Sequence, residues 1–232
     1  MPQNEFGQPV GEPLPGWQAR PPVIPVTLTG RHVRLEPLTA AHAGILYAPT
    51  VLESDPRIWT YYPYSPTMTR AEFDACIAVQ LRNPAGAAHA IMAPDGAGLG
   101  FASYLRIDPP NGSVEVGGIV YSSALQRTTA ATEAMILMAR HVFDDLGYRR
   151  YEWKCDSCNE PSKAAATRLG FTYEGRHRNA TVYKGRNRDT DWFSITGAEW
   201  PALSAAYDAW LAPGNFDAAG AQRRSLGDLT RS

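Results

Sequence analysis

Between Tyr121 and Phe143 the chain reads YSSALQRTTAATEAMILMARHVF, a hydroxyl-rich run that stops in a long helical pattern. A polar loop opening a helix presents free backbone N–H groups at the positive end of the helix dipole, an arrangement that binds phosphates. Its residues Gln126, Arg127, Thr128, Thr129, Ala130, Ala131 and Thr132 include no glycine. They match neither a P-loop ending in Gly-Lys-Ser/Thr nor the GxGxxG of a dinucleotide fold. Other residue types with chemical potential lie on both sides: Glu115 upstream, and Asn159 and Ser162 downstream. The CDSC of Cys155 and Cys158 has no second pair and no spaced histidines, and two ligands cannot close a zinc site, so no metal is expected. The run from Arg176 to Arg188 holds six basic residues and reads as a solvated hairpin, with acceptor or phosphate binding as its functional alternative. Trp59, Tyr61, Tyr62 and Tyr64 crowd one proline-bounded loop, either as core or as the wall of a substrate pocket.

The elements that must position these groups are legible as periodicities. Val33 and Leu35 alternate with Arg34 and Glu36 as a strand, and AAHAGILYAPTVL reads as a helix. RAEFDACIAVQLRN is a second helix with Phe73, Ile77 and Leu81 on one face. AAHAIMA and GLGFASYLRID are strands joined by a PDGAG turn, and SVEVGGIVYS is another strand. Gly117 and Gly118 inside it mark a bulge or a close backbone approach. The helix after the loop carries Met135, Met138, Val142 and Leu146 in one stripe, with Gly147 at its C′ position. Then come the strand YRRYEWKCD, the short helix PSKAAATRL, strands beginning at FTYEG and at DTDWFSIT, and the helix EWPALSAAYDAWL. The spacing gives one mixed α/β domain over residues 27–212. Residues 1–26 are proline-rich, either a disordered arm or an extended one pinned by Leu14 and Trp17. Residues 213–232 are expected to be a flexible tail.

Composition removes several function classes. A net charge of −1 argues against nucleic acid, whose phosphates demand a basic face. No window approaches the roughly 20 apolar residues of a membrane span. The N-terminus lacks the basic and apolar regions of a secretory signal, and three cysteines give no disulfide framework. A cytoplasmic protein, monomer or homodimer, is the expectation.

VEVGGIVYSSALQRTTAATEA followed by NEPSKAAATRLGFTYEG resembles the GNAT superfamily of acyl-CoA-dependent N-acyltransferases. The family's pyrophosphate loop, Q/R-x-x-G-x-G/A, matches Gln126 to Ala131. Its later Asn-x-x-Ser through Leu-Gly-Phe matches Asn159, Ser162, Leu169, Gly170 and Phe171. The likeness spans roughly Thr27 to Thr196 and is nearest the ribosomal-protein N-terminal acetyltransferase branch. It implies a central, mostly antiparallel sheet with a splayed parallel pair flanked by helices, and acetyl-CoA as co-substrate with an amine acceptor. It further implies that Ile119 and Tyr121 offer backbone groups to the pantetheine arm and the acyl oxygen, and that the Asn159 amide can bond that arm. Thr129 departs from the family glycine. A β-branched residue avoids positive φ, so a negative φ is expected there. The hydroxyls of Thr128, Thr129 and Thr132 would add donors, and Arg127 a cation.

Acylating an amine needs a neutral nucleophile, a polarised carbonyl and a proton for the departing thiolate. At pH 7 deprotonation costs about 1 kcal/mol for an α-amine and about 4.6 for a lysine. A general base is therefore useful, and Glu115 stands where the family often carries a water-relaying glutamate. The bland alternative is a pair-forming carboxylate. The family's acid, a tyrosine on the helix after Asn159, falls on Ala166, which leaves Ser162, Asn159 or water. The expected activity is acetyl or other short acyl transfer by direct displacement. A succinyl-type acyltransferase and a non-catalytic acyl-CoA sensor are the rivals.

Overall fold

The computed structural model describes residues 1–84 and 86–231. Eight strands form one sheet: β1 (Leu28–Thr29), β2 (Arg34–Pro37), β3 (Ala87–Met92), β4 (Gly98–Asp108), β5 (Ser113–Tyr121), β6 (Arg150–Asp156), β7 (Thr172–Tyr183) and β8 (Arg186–Thr196). Their order is β1-β2-β3-β4-β5-β6-β8-β7, and every pairing is antiparallel except β5 with β6. The parallel pair needs a crossover, which α3 (Thr129–Arg140) provides.

Strand alternation divides the side chains between two cores. On β3, Ala87 and Ile91 join the core that includes Val114, Val116, Tyr151, Trp153 and the apolar faces of α3 and α5 (Trp200–Leu211). Ala88, Ala90 and Met92 join the other core, beneath α1 (His42–Tyr47) and α2 (Arg70–Arg82). Thr69 and Glu72 form a capping box that fixes the start of α2. The buried stripe of α2 is Phe73, Cys76 and Ile77, whereas Leu81 is exposed. Eight residues of helix turn about 80° beyond two full turns, which carries Leu81 off the stripe.

Both termini are tied down more than composition suggests. Trp17 Nε1 donates to Pro110 O at 2.9 Å, and its ring lies over Gly112, where a Cβ would fall 2.6 Å from the indole. The Arg20 guanidinium covers the ring at 4.4 Å, and Tyr148 Oη donates to Pro21 O. Leu14 pins nothing; it is exposed. The tail expected to be flexible instead folds back, with α6 (Leu226–Leu229) burying Leu226 and Leu229. Asn215 fastens it by bonding Trp210 O, Arg224 O and Arg224 N, so main-chain groups that would otherwise go to water are satisfied internally. Among the described residues no helix is long and apolar enough to cross a membrane.

The start of α3 is held to the β1–β2 turn by one buried carboxylate. Glu133 accepts from Arg31 N at 2.9 Å and His32 N at 2.6 Å, and only a glycine at position 30 leaves room for it. Glu133→Ala strands two amides, so it is expected to lower unfolding free energy by about 2–3 kcal/mol in urea denaturation. Glu133→Gln, which keeps one acceptor, should lose less.

Candidate active site

The site begins where a ladder stops. β5 and β6 pair in register from Ser113↔Arg150 to Val116↔Trp153, and pairing ends there although β5 runs on to Tyr121 and β6 to Asp156. The cause lies on the other edge of β5. Phe101 pairs with Val120 and Ser103 with Gly117, so two steps on β4 oppose three on β5. The extra residue is a bulge, and Gly118 takes φ +58° within it. The bulge bends β5 away from β6, leaving main-chain groups from Gly117 to Tyr121 without a ladder partner on that side. Ile119 and Tyr121 both lie in this opened stretch.

Directly beyond lies the polar loop. Ser122 N donates to Leu99 O, and Leu125 N and Gln126 N both donate to Ser122 O, which closes a tight turn. The left-handed residue is Arg127, at φ +61°, and Thr129 is already the first residue of α3 with a right-handed backbone. The loop thus makes its turn two residues ahead of the missing glycine. Gln126 Nε2 donates back to Tyr121 O at 3.2 Å.

Two of the three hydroxyls expected to face a phosphate are committed elsewhere. Thr128 is the N-cap of α3: its Oγ1 donates to Leu125 O and accepts from Ala131 N at 3.1 Å, which also removes the Ala131 amide from use. Thr132 is buried and accepts from Arg168 Nη2 at 2.8 Å. The groups left to an anion are the Thr129 hydroxyl, the Arg127 side chain and the first-turn amides of Thr129 and Ala130. That set still suits a pyrophosphate.

α4 (Glu160–Arg168) closes the far side. Asn159 is its N-cap, Oδ1 accepting from Ser162 N at 3.2 Å, which leaves its NH₂ outside the cap bond. Ser162 Oγ accepts from Trp153 Nε1 at 3.0 Å and keeps its own proton. Cys155 beside it is buried, and burial pushes its thiol up, the reverse of what an acyl-carrying thiolate needs. Ala166, in the family's tyrosine position, is 0% exposed in the core. All three cysteines are free, and among the described residues no group of three or more His, Cys, Asp or Glu could hold a metal ion.

Glu115 stands on the other side of the sheet from Val114 and Val116, next to the parting of the strands. It is 2% exposed. Its Oε1 occupies space that Gly117 leaves open, for a Cβ at Gly117 would lie 2.8 Å from it. Its Oε2 lies 3.1 Å from Lys154 Nζ and 3.8 Å from Arg106 Nε. Burial holds its carboxyl above the usual carboxylate range, while Lys154 and Arg106 pull it down and Glu152 pushes it up. Nearby, Ser103 Oγ is buried without a hydrogen-bond partner, beside the gap over Gly118 that Gln80 Oε1 also borders. A cleft of about 520 Å³ lined by Val79, Gln80, Leu105 and Gly118 opens there.

The aromatic loop divides by role. Trp59 is 1% exposed, bonded to Thr50 O and packed on Tyr62 and Phe73, so it supports the loop and cannot touch an acceptor. Tyr62 and Tyr64 stack beside it, and burial pushes the Tyr64 hydroxyl up to about 12. Tyr61 reaches across to donate to Cys158 O at 2.7 Å. The basic hairpin is real, turning at Lys184 and Gly185 with φ 48° and 68°. Its tip clamps the site: Lys184 Nζ donates to Trp59 O at 2.9 Å and Tyr183 Oη to Asp156 Oδ2 at 2.8 Å. Lys154, which pairs with Glu115, was not singled out in the sequence, and Lys184, which holds the Trp59 carbonyl, only as part of the basic run. The alternation of Glu152 and Lys154 with Tyr151 and Trp153 was the available signal for the first.

The bulge gives a direct test. Gly118→Ala forces a side chain into a left-handed conformation, with an expected loss of about 1–2 kcal/mol in stability by chemical denaturation. A neutral result would mean that the parting of β5 and β6 does not depend on that bulge.

Known proteins place this geometry. Residues 32–172 match the family described as "Acetyltransferase (GNAT) domain". A GCN5-related N-acetyltransferase from Brucella melitensis is 43% identical, with a TM-score of 0.90 over 94% of this chain and 100% of that one. A Salmonella typhimurium acetyltransferase, described as modifying the N-terminal serine of 50S ribosomal subunit protein L7/L12, shares the fold. It has a TM-score of 0.63 at 18% identity, over 72% of this chain and 96% of that one. The curated Bacillus subtilis (strain 168) protein YdaF, provisionally named a ribosomal N-acetyltransferase, is 26% identical over 106 residues. That match spans 46% of this chain and 57% of YdaF. A family match across the site-bearing strands, with the Brucella relative 43% identical over 94% of this chain, leaves one conclusion: the chain belongs to the GNAT acetyltransferase family.

Proposed function

We propose that the protein transfers an acetyl group from acetyl-CoA directly to a primary amine, with Glu115 as general base. One observation carries this reading: a buried carboxylate stands beside the opened edge of β5, whose unpaired main chain leads to the exposed amides at the start of α3. Acetyl-CoA fits that layout, with phosphates toward Arg127, Thr129 and Ala130 and the pantetheine arm along Gly117 to Tyr121. Bound there, it supplies the acyl group as a thioester. Glu115 takes a proton from the bound ammonium, directly or through a water held near Ser103, and the neutral amine then attacks the thioester carbonyl. The backbone donors of β5 stabilise the negative charge that develops on the acyl oxygen. In this reading the departing sulfur meets the Asn159 amide and Ser162, whose hydroxyl accepts from Trp153 Nε1 and also bonds the Cys155 thiol. A thiol of ordinary pKa near 8.5 also departs without a dedicated acid, which suits the buried Ala166.

The α-amine of a protein N-terminus is the favoured acceptor class. Its low cost of deprotonation suits a site whose base is a single carboxylate, and the Salmonella relative is described as modifying an N-terminal serine. A panel of peptide N-termini, lysines and polyamines, followed by release of free CoA thiol, tests this. Binding of acetyl-CoA with no turnover on any amine would instead identify a sensor.

Arg127→Glu places an anion beside the pyrophosphate, so calorimetry should show acetyl-CoA binding weakened about tenfold or more while dephosphorylated pantetheine binds as before. Equal binding of both ligands would remove the phosphate loop from the reading.

Glu115→Gln keeps the shape and cannot take a proton. Its kcat/KM is expected to fall about 10²-fold or more at pH 7, with the deficit shrinking as pH rises toward the acceptor's own pKa. Because burial raises the Glu115 carboxyl, the wild-type rate should rise with pH through a limb above the ordinary glutamate value. A deficit flat with pH, alongside a lowered melting temperature, would make Glu115 structural.

A further inference from the structure

Lys154 occupies the first position of β6 beyond the last paired residue, Trp153. Its ammonium lies 3.1 Å from Glu115 Oε2, so this ion pair spans from β6 to β5 at the point where the strands part. The same ammonium lies 5.3 Å from the centre of the Trp192 ring on β8. An aromatic face and a buried carboxylate together fix a side chain that would otherwise be free in water.

We propose that Lys154 is a positioning residue that holds Glu115 as an anion, aimed into the mouth of the splay. The other groups facing Glu115 are less well placed for this. Arg106, from β4, is half exposed, lies over Trp192 at 4.7 Å and keeps 3.8 Å from both Glu115 and Glu152. Glu152, from β6, adds a like charge, and Arg150 is occupied in bridging Glu152 to Glu174. Leu105 and Gly117 contribute no charge. Lys154 is thus the nearer of two cations on a carboxylate that burial pushes toward its neutral form. An amine proton accepted by Glu115 passes to solvent after each turnover, and the ammonium favours that return because it restores the ion pair. No proton leaves Lys154 in this scheme.

The inference rests on Glu115 acting as base, and the two are separable in one experiment. The kcat/KM of wild type and of Lys154→Met, Lys154→Arg and Glu115→Gln is measured against pH with acetyl-CoA and a reactive amine. Removing the cation makes Glu115 easier to protonate, so the acid limb of Lys154→Met should move up by about one pH unit or more. Rates should approach wild type on the alkaline side, with KM for acetyl-CoA within about twofold. Lys154→Arg should restore the limb. An unmoved limb in Lys154→Met, with Glu115→Gln impaired, overturns the role of Lys154 alone. Wild-type rates for Glu115→Gln at every pH overturn the base itself and this inference with it. Should Lys154→Met fail to fold, Lys154→Gln carries the same comparison and the same outcomes.

Discussion

Everything in the site follows from β5 ceasing to pair with β6 after Val116 and Trp153. A fully paired parallel ladder would consume the main-chain groups of Gly117 to Tyr121, and no ligand could bond them. The extra residue around Gly118 on the β4 side prevents that pairing without breaking the sheet, because β4 keeps hold of Val120 and Tyr121. The sheet therefore stays continuous for eight strands and still opens a slot in its middle.

The slot has different chemistry at its two faces. On the side of Val114 and Trp153, apolar packing against α3 and α5 makes it rigid. On the other side the same strands carry Glu115, Glu152 and Lys154, and the bulge contributes glycines, so a carboxylate fits where a Cβ would collide. Burial and the Lys154 ammonium act on Glu115 with opposite sign. Neither influence is unopposed, which is what the proposed general base requires.

The walls around the slot are fixed by polar contacts between segments far apart in sequence. Lys184 holds the carbonyl of Trp59, Tyr183 holds Asp156, and Tyr61 holds Cys158 O. Three loops that could each move alone thereby support one another. Trp59 gives the loop its anchor in the core and leaves Tyr61 at the surface. The aromatic crowding of that loop is therefore one buried support with its companions, and only part of it is free to meet an acceptor.

The strands, the helices, the polar loop that opens α3 and the glycine pair in β5 were all determined by sequence, because each depends on local periodicity or on a residue's own backbone preference. The prohibition on positive φ at Thr129 was local too, and it led to the right-handed start of α3. Where the turn went instead, to Arg127, depended on the hydrogen bonds that Ser122 makes with its neighbours. Which hydroxyls remained available was likewise a tertiary matter: Thr132 is taken by Arg168, a residue 36 positions away. The tail could not be read from its Gly- and Ala-rich composition, since Leu226 and Leu229 find their partners only on a folded domain. Lys154 looks in sequence like an ordinary strand lysine. Only the parting of two strands brought it to Glu115, because charge pairing acts through space and the pattern along one chain does not record what lies across the gap.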